Sequence, residues 1–189
     1  NDSLRAEGAT ARTDSSIIGS SASGAGSALT NTSAELEHDQ AAIENLAAPT
    51  SSGLTRISSI EVNVDGQTGT DLQAISLQSN VAITVKFESD PAQPCPTFAT
   101  GFALPDGQIF TSVYTLFDGI AIQRDAQGRG QATVVFEKLP LMKGRFSVGA
   151  YLFDERALHV YDVVLQAATL NVTQAGVHQG FVQLPHRWQ

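Results

Sequence analysis

The chain has 189 residues, of which 11 are basic and 19 acidic, so its formal net charge is −8. This balance argues against nucleic acid as a partner, because binding to phosphates needs an excess of Lys and Arg. The sequence shows no uninterrupted apolar run of about 18 residues and no signal-peptide pattern, so no membrane span or leader is predicted. Because the sequence begins with Asn1, we interpret it as a fragment of a longer chain.

Residues 1–53 differ in composition from the rest of the chain. They contain no aromatic residue and are rich in Ala, Ser, Thr and Gly, so they cannot bury enough apolar surface to offset their chain entropy. We predict a flexible linker with one short helix from Ser33 to Ala47. Gly19 and Gly24 have the first spacing of a phosphate-binding loop, but the Lys that such a loop needs does not follow.

From Leu54 onward the sequence consists of short apolar runs separated by turn residues. The clearest run is Val81 to Phe87, where apolar and polar residues alternate with a period of two. The other predicted strands are Ile57 to Val64, Leu72 to Leu77, Phe98 to Leu104, Gln108 to Thr115, Gln131 to Lys138, Arg145 to Phe153, Leu158 to Val164, Ala168 to Val172 and Phe181 to Leu184. Strands at this spacing, without a helical pattern between them, predict that residues 54–189 form an all-β, antiparallel β-sandwich of immunoglobulin-like topology.

Metal and nucleophile motifs are missing from the sequence. Its four histidines have no metal-ligand spacing, so we predict no metal site and no cofactor. The single cysteine, Cys95, lies between prolines and is interpreted as a loop residue rather than a nucleophile, because no basic residue is near it in sequence.

The carboxylates do not form a recognisable catalytic pattern either. Asp118, Asp125 and Asp162 are possible ligands for Ca²⁺. Asp118 and Asp125 lie in turns, however, where an Asp usually caps backbone groups. Asp154 and Glu155 are predicted at the solvated tip of a hairpin. We therefore predict no enzyme activity in this fragment, but a glycosidase pair assembled from distant strands would be invisible in sequence.

The alternation of three strands predicts a shared outward face. Phe146, Val148, Ala150 and Leu152 fit the core, as do Phe98, Phe102, Leu104, Ile109 and Val113. The residues then expected to face outward are Arg145, Ser147, Gly149, Tyr151, Ala99, Gly101, Ala103, Gln108, Ser112 and Tyr114. This face combines small residues with tyrosines and one arginine.

Such a face suits an extended sugar ligand. Small residues allow a ligand to approach the backbone, and a tyrosine ring with its hydroxyl matches the C–H face and hydroxyls of a sugar. An arginine provides a planar fork for an anionic group. We predict a ligand-binding site of Tyr114, Tyr151, Arg145, Ser112 and Ser147; the alternative is that the small residues only lie beneath another element.

Several segments together resemble a known family. They are Pro105-Asp106-Gly107 followed by Phe110 and Thr115, the stretch Leu139 to Phe153, His159-Val160-Tyr161-Asp162, and the final segments up to Trp188. In order and spacing they are similar to the carboxy-terminal polysaccharide-binding domain of Wzt-type proteins, the nucleotide-binding subunits of ABC transporters that export O-antigen. The family usually has Asn where this chain has Tyr114.

The resemblance implies a function and a setting. It implies a β-sandwich that binds O-polysaccharide, in many members through a modified non-reducing end, at the cytoplasmic face of the bacterial inner membrane. It implies an ATPase domain before residue 1 that contacts the membrane subunit, with residues 1–53 as the linker. It also implies a homodimer that exchanges the segment from Gly180 to Leu184, and structural roles for Tyr161, Asp162 and Trp188. Two alternatives stay open: a dimerisation scaffold that recognises no sugar, and a carbohydrate-active enzyme.

Overall fold

The computed structural model describes residues 55–189, so the linker and the short helix predicted for residues 1–53 lie outside the described residues. Nine strands are formed: β1 (Arg56–Val64), β2 (Gln67–Thr68), β3 (Asp71–Ile75), β4 (Val81–Glu88), β5 (Thr97–Ala103), β6 (Ile109–Tyr114), β7 (Arg129–Phe136), β8 (Gly144–Phe153) and β9 (Val160–Thr173). Within residues 55–189, no helix is long and apolar enough to cross a membrane.

The strands form two sheets, one in the order β2-β1-β4-β7 and the other in the order β3-β9-β8-β5-β6. All pairs are antiparallel except β3 and β9, which run parallel. Within the described residues, the chain passes from β1 and β2 in the four-stranded sheet to β3 at the edge of the five-stranded sheet. This division of strands is that of an immunoglobulin-like sandwich, so the predicted fold class is confirmed.

The core lies between the two sheets and is made of the residues that alternate inward. Val81, Ile83 and Val85 of β4 are at most 1% exposed, and Val148 of β8 is fully buried. Burial of each such side chain stabilises the fold by roughly 1.5–3 kcal/mol. Across the interface the rings of Phe102 and Phe136 meet edge to face, with their centroids 5.1 Å apart.

One core assignment made from the sequence is wrong. Ile109 pairs with Ala103 and lies on the outward side, whereas Phe110 packs against the core. The reason is a register shift between Phe102 and Ala103, which leaves Phe110 as an extra residue in β6. An extra residue of this kind breaks the alternation, so that Ile109, beyond the bulge, points to the side opposite to the one that the alternation of Thr111 and Val113 predicts.

The two carboxy-terminal predictions also differ from the structure. The strands predicted at Leu158 to Val164 and Ala168 to Val172 are one long strand, β9, which is interrupted by a bulge. The segment Phe181 to Leu184 is not a strand; it makes a single bridge from Val182 to Leu141. The Phe181 ring lies 6.1 Å from that of Phe110.

Asp162 links the sheets in a way that agrees with the structural role implied for it. One of its carboxylate oxygens accepts a 2.8 Å hydrogen bond from the Ile57 N–H at the start of β1, and the other accepts one of 2.8 Å from the Val163 N–H. Trp188 differs, since it is 89% exposed; its ring meets the His186 ring edge-on, with the centroids 6.0 Å apart.

Candidate functional site

The predicted outward face is the side of the five-stranded sheet that is turned away from the core, here called the outer face. On it, Ala99 of β5 lies between Tyr114 of β6 and Tyr151 of β8. In the next outward-facing row Gly101 lies between Ser112 and Gly149. Because these residues alternate with core residues along each strand, the pairing register alone brings them together.

Gly101 is required by the close approach of β6. A Cβ atom placed on Gly101 would lie 2.2 Å from the Thr111 carbonyl oxygen and 2.9 Å from the Ser112 Cα atom. Both are backbone atoms of the paired strand, so no side-chain rotation could relieve the overlap. The absence of a side chain at this position therefore lets β6 lie close against β5.

Gly149 has a similar relation to β9. Val148 pairs with Ala168 and Ala150 pairs with Val164, so β9 carries extra residues opposite Gly149. A Cβ atom on Gly149 would lie 3.1 Å from the Leu165 carbonyl oxygen. The bulge of β9 thus rises beside Gly149 and forms a wall above the sheet.

These features enclose a groove of about 160 Å³ on the outer face. Its floor includes Gly101 and Gly149, and the bulge contributes Leu165 and Gln166 as one wall. Ile109 lies on the β6 side, and the turn between β5 and β6 closes one end. The hydroxyl-bearing residues in the groove are Ser112, Ser147 and Tyr151.

The structure therefore brings together three of the five predicted ligand-binding residues: Ser112, Ser147 and Tyr151. Tyr114 lies just outside the groove, across Ala99 from Tyr151. Arg145 is on the same face but pairs with Asn171, beyond Ser147, and does not line the groove.

The two tyrosines belong to a small aromatic cluster at one end of the outer face. Phe153 lies 6.0 Å from the Tyr151 ring, nearly parallel to it, and 5.9 Å from the Tyr114 ring. Both tyrosines pack around the buried Ala99. Burial, with a smaller contribution from Tyr114, raises the pKa of the Tyr151 hydroxyl, so this group is neutral and able to donate a hydrogen bond at physiological pH.

The alternative explanation for the small residues holds at three positions. Ala99 lies beneath the aromatic cluster, Gly101 against β6 and Gly149 beside the β9 bulge, so local packing alone requires small side chains there. Ser112 and Ser147 are different, because their side chains face the groove. The stripe of small residues shapes the groove rather than forming an open platform for a ligand.

Sequence reasoning missed Leu165, Gln166 and Ile109 as groove residues. A signal was present for the first two, because they fall in the gap between two predicted strands and Leu165 is an apolar residue without a core position. Its side chain is 63% exposed in the structure. Ile109 carried no signal, since its outward position depends on the β6 bulge.

Among residues 55–189 no group of three or more potential ligands is arranged to hold a metal ion. Asp125 is a turn cap, accepting 2.9 Å hydrogen bonds from the N–H groups of Gln127 and Arg129, which lower the pKa of its carboxyl group. Asp154 is buried rather than solvated, and it caps the β8–β9 turn through the N–H groups of Leu158 and His159.

Cys95 lies near a basic residue that the sequence did not reveal. Arg124 approaches it and lowers its thiol pKa, but burial has the larger effect and the pKa is raised overall. The Cys95 thiol also lies 3.4 Å from the Ile122 carbonyl oxygen, to which it donates a hydrogen bond. This environment disfavours the thiolate that a nucleophile would need.

A second concavity lies on the four-stranded sheet and is larger, at about 640 Å³. Four of its five charged residues, all except Lys86, have partners among residues 55–189. Arg129 pairs with Asp125 at 2.9 Å, and Glu88 pairs with Arg56 at 2.7 Å. Arg124 donates hydrogen bonds to the loop that follows β4. These contacts stabilise the end of the sheet and leave little chemistry for a ligand.

Comparison with known proteins identifies a family. The family model for the Wzt C-terminal domain matches residues 49–184. No curated protein matches the sequence significantly. A solved structure described as the C-terminal domain of wzt is similar, with a TM-score of 0.54 and 15% identity, covering 71% of this chain and 83% of that chain.

Weaker similarity extends to other solved structures. A Bifidobacterium dentium beta-glucuronidase has a TM-score of 0.39 and 14% identity, covering 62% of this chain and 18% of that chain. An immunoglobulin-like protein from Pseudomonas aeruginosa has a TM-score of 0.33 and 16% identity, covering 62% of this chain and 95% of that chain. The match of the family model spans most of the sequence, and the chain therefore belongs to the Wzt C-terminal domain family.

Proposed function

We propose that the outer face binds O-antigen polysaccharide, without making or breaking a bond, and presents it for export. Membership of the Wzt C-terminal domain family associates the chain with the O-antigen ABC transporter. The observation that supports sugar recognition is the groove itself, in which neutral hydroxyl groups and one tyrosine ring line a cavity of about 160 Å³.

The groove matches the chemistry of a sugar. The Tyr151 ring offers an apolar edge with a hydroxyl, and Ser112 and Ser147 offer groups that both donate and accept hydrogen bonds. Tyr114 and Arg145 lie beyond opposite ends of this set on the same face, where neighbouring units of a polymer would pass. We expect an affinity of roughly micromolar to millimolar for a single chain, about −8 to −4 kcal/mol.

Hydrolysis is the weaker alternative. A glycosidase needs two carboxyl groups on either side of the scissile bond, about 5–10 Å apart. No carboxylate lines the described groove. Asp106, which lies between the lining residues Pro105 and Gly107, caps the turn by accepting a 3.0 Å hydrogen bond from the Gln108 N–H. Asp154 also caps a turn, and Asp125 lines the concavity on the other sheet.

The proposal is tested with the purified chain and two O-polysaccharides, one from its own bacterium and one unrelated. We expect retention of its own polysaccharide only, and weaker binding by Tyr151→Ala and Arg145→Ala. Retention of neither polysaccharide would favour the dimerisation scaffold. Unchanged binding by both variants would show that the ligand occupies another surface.

We also propose that the chain forms a homodimer by exchange of the segment from Gly180 to Leu184. In the described chain this segment adds to the loop before β8: the Met142 N–H donates to the Phe181 carbonyl, and the Gln183 N–H donates to the Pro140 carbonyl. A partner's segment could make the same contacts, satisfying the same backbone groups.

The dimer is tested by light scattering on the 19.9 kDa chain. We expect twice this mass for the unmodified chain and a monomer for Gln183→Pro, because proline lacks the N–H that Gln183 donates. Gln179→Pro, four residues earlier and exposed, is the control and should stay dimeric. A monomeric mass for the unmodified chain would overturn the proposal.

The same family also supports a proposal about the neighbouring domain and about where in the cell the polysaccharide is bound. Residues 1–53 would connect this domain to an ATPase domain that contacts the membrane subunit, and the polysaccharide would be bound at the cytoplasmic face of the inner membrane. In this arrangement the domain selects the cargo and the ATPase drives its export.

A further inference from the structure

Among residues 55–189, those that line the groove include no charged side chain, which distinguishes the groove from the concavity on the four-stranded sheet. Resting on the proposed function, we infer that the sugar unit seated in this groove is uncharged and carries an apolar substituent, namely the methyl group of a 6-deoxy sugar. The inference concerns the unit in the groove and not the rest of the polymer.

The charges nearest the groove do not favour an anion. Asp106 lies between two lining residues, Pro105 and Gly107, but its carboxylate accepts a 3.0 Å hydrogen bond from the Gln108 N–H and so caps the turn. Arg145, expected from sequence to receive an anionic group, is exposed and outside the lining. A phosphate or carboxylate entering the groove would lose hydration without gaining a charged partner.

The walls of the groove are apolar on two sides. Leu165 stands on the β9 bulge with 63% of its surface exposed, and Ile109 faces the groove from β6. Both are anchored by backbone features, the bulges in β9 and β6, rather than by side-chain packing alone. An exposed leucine at a groove wall gains stability only when an apolar group covers it, which a methyl substituent would do.

The polar groups of the groove are those of a neutral binding site. Ser112, Ser147 and Tyr151 offer hydroxyls, and Gln166 offers an amide on the wall. Each can donate and accept hydrogen bonds without carrying charge at neutral pH. They fit the hydroxyl groups of the same sugar unit whose methyl group would contact Leu165.

The test uses the 189-residue chain and monosaccharide probes at up to about 100 mM, since binding of a single unit is expected at the millimolar end. Methyl D-rhamnoside is compared with methyl D-mannoside, and methyl L-fucoside with methyl L-galactoside, each pair with the same anomeric configuration; D-mannose 6-phosphate is the charged probe. The readout is the NMR shift of the Ile109 and Leu165 methyl groups. In at least one pair, we expect the 6-deoxy sugar to shift these signals and bind about fourfold more tightly than its parent, the gain from one buried methyl group.

A matched pair of variants locates the effect. Leu165→Lys should abolish the preference for the 6-deoxy sugar, because it replaces the apolar wall by a cation. Leu158→Lys is the control, since Leu158 is 58% exposed but lies outside the groove, and it should keep the preference. Equal preference in both variants would overturn the inference.

Two further outcomes separate this inference from the proposed function. If the bacterium's own O-polysaccharide binds while no neutral probe shifts the Ile109 and Leu165 signals, or while mannose 6-phosphate binds there at least as tightly as methyl mannoside, the inference fails and the proposed function stands. If the O-polysaccharide does not bind either, both fail.

Discussion

The outer faces of the two sheets differ, although their inner faces share one core. On the four-stranded sheet, β4 and β7 pair over eight consecutive residues without a register shift, and β1 and β4 shift once, near the start of β1. Their outward side chains are typical of a solvated sheet; Thr84 and Thr133, for example, are joined by a 2.9 Å hydrogen bond. On the five-stranded sheet, β8 and β9 shift register twice, and β5 and β6 shift once.

The difference shows how a sandwich forms a groove on one outer face without losing its core. Regular pairing produces a nearly flat surface, on which side chains of similar length stand side by side. A bulge lifts part of one strand, and glycines such as Gly101 and Gly149 allow neighbouring backbones to approach closely. The position and shape of the groove therefore depend on the backbone. The side chains that line the groove provide its hydroxyl groups.

The largest effect is expected from a side chain at Gly101. In Gly101→Val the new Cβ atom would overlap the Thr111 carbonyl oxygen, so we expect a loss of about 3 kcal/mol in the free energy of unfolding. Ala82→Val places the same side chain on the outer face of the four-stranded sheet, where a change within about 0.5 kcal/mol is expected. Urea denaturation measures both. Similar losses in the two variants would show that the faces do not differ as described.

The next largest effect concerns binding of O-polysaccharide. We expect Tyr151→Ala to weaken it about tenfold or more, equivalent to about 1.4 kcal/mol, because the ring and hydroxyl are lost together. Tyr151→Phe should keep most of the ring's contribution, and Lys86→Ala, on the other outer face, should have no effect. Isothermal titration calorimetry on the unmodified chain and the three variants tests this order. Weaker binding by Lys86→Ala would show that the ligand contacts the four-stranded sheet, which would contradict the proposal.

A smaller effect is expected at Gly149. In Gly149→Ala the Cβ atom would lie 3.1 Å from the Leu165 carbonyl oxygen, so the β9 bulge must move by a few tenths of an ångström. Alanine also has a lower chain entropy when unfolded, so we expect a net change in stability within about 1 kcal/mol. The movement should shift the Leu165 methyl signal in NMR spectra. An unchanged signal would mean that Gly149 does not set the position of the wall.

The smallest effect is in the pH dependence of stability. Burial raises the Tyr151 pKa above its ordinary value of 10.0, so the folded chain holds this proton more tightly than the unfolded chain. Its contribution is fully present below about pH 10 and is lost as the pH rises toward the folded pKa. Tyr151→Phe should therefore lose less stability than the unmodified chain between pH 9 and 11, as measured by thermal unfolding. Parallel curves would contradict the burial of this hydroxyl.

The sequence predicted those features that depend on alternation. The inward residues of β8 and the joint outward position of Ser112, Ser147 and Tyr151 follow from a period of two and are found in the structure. Features that depend on register were not predictable, because a bulge leaves no clear signature in a single sequence. For this reason the sequence pattern puts Ile109 in the core. The gap between two predicted strands does mark Leu165 as unusual, but it does not reveal that the residue forms a wall of the groove.

The charge of the site illustrates the same limit. By the alternation along β8, Arg145 points outward, and an outward arginine suggests an anionic ligand. Alternation does not determine which of the outward residues surround a cavity. That depends on where the bulge and the β5–β6 turn enclose the face. The length of the turn and the position of the bulge place Ser147 inside and Arg145 outside.

The most direct test of the central claim is a map of backbone amide shifts in the chain when its own O-polysaccharide is added. The account predicts that the largest changes occur at Ser112, Ser147, Tyr151 and the β9 bulge, with little change on the outward residues of β4 and β7. Changes centred on Lys86 and Thr133 of the four-stranded sheet, or no change at any residue, would contradict it.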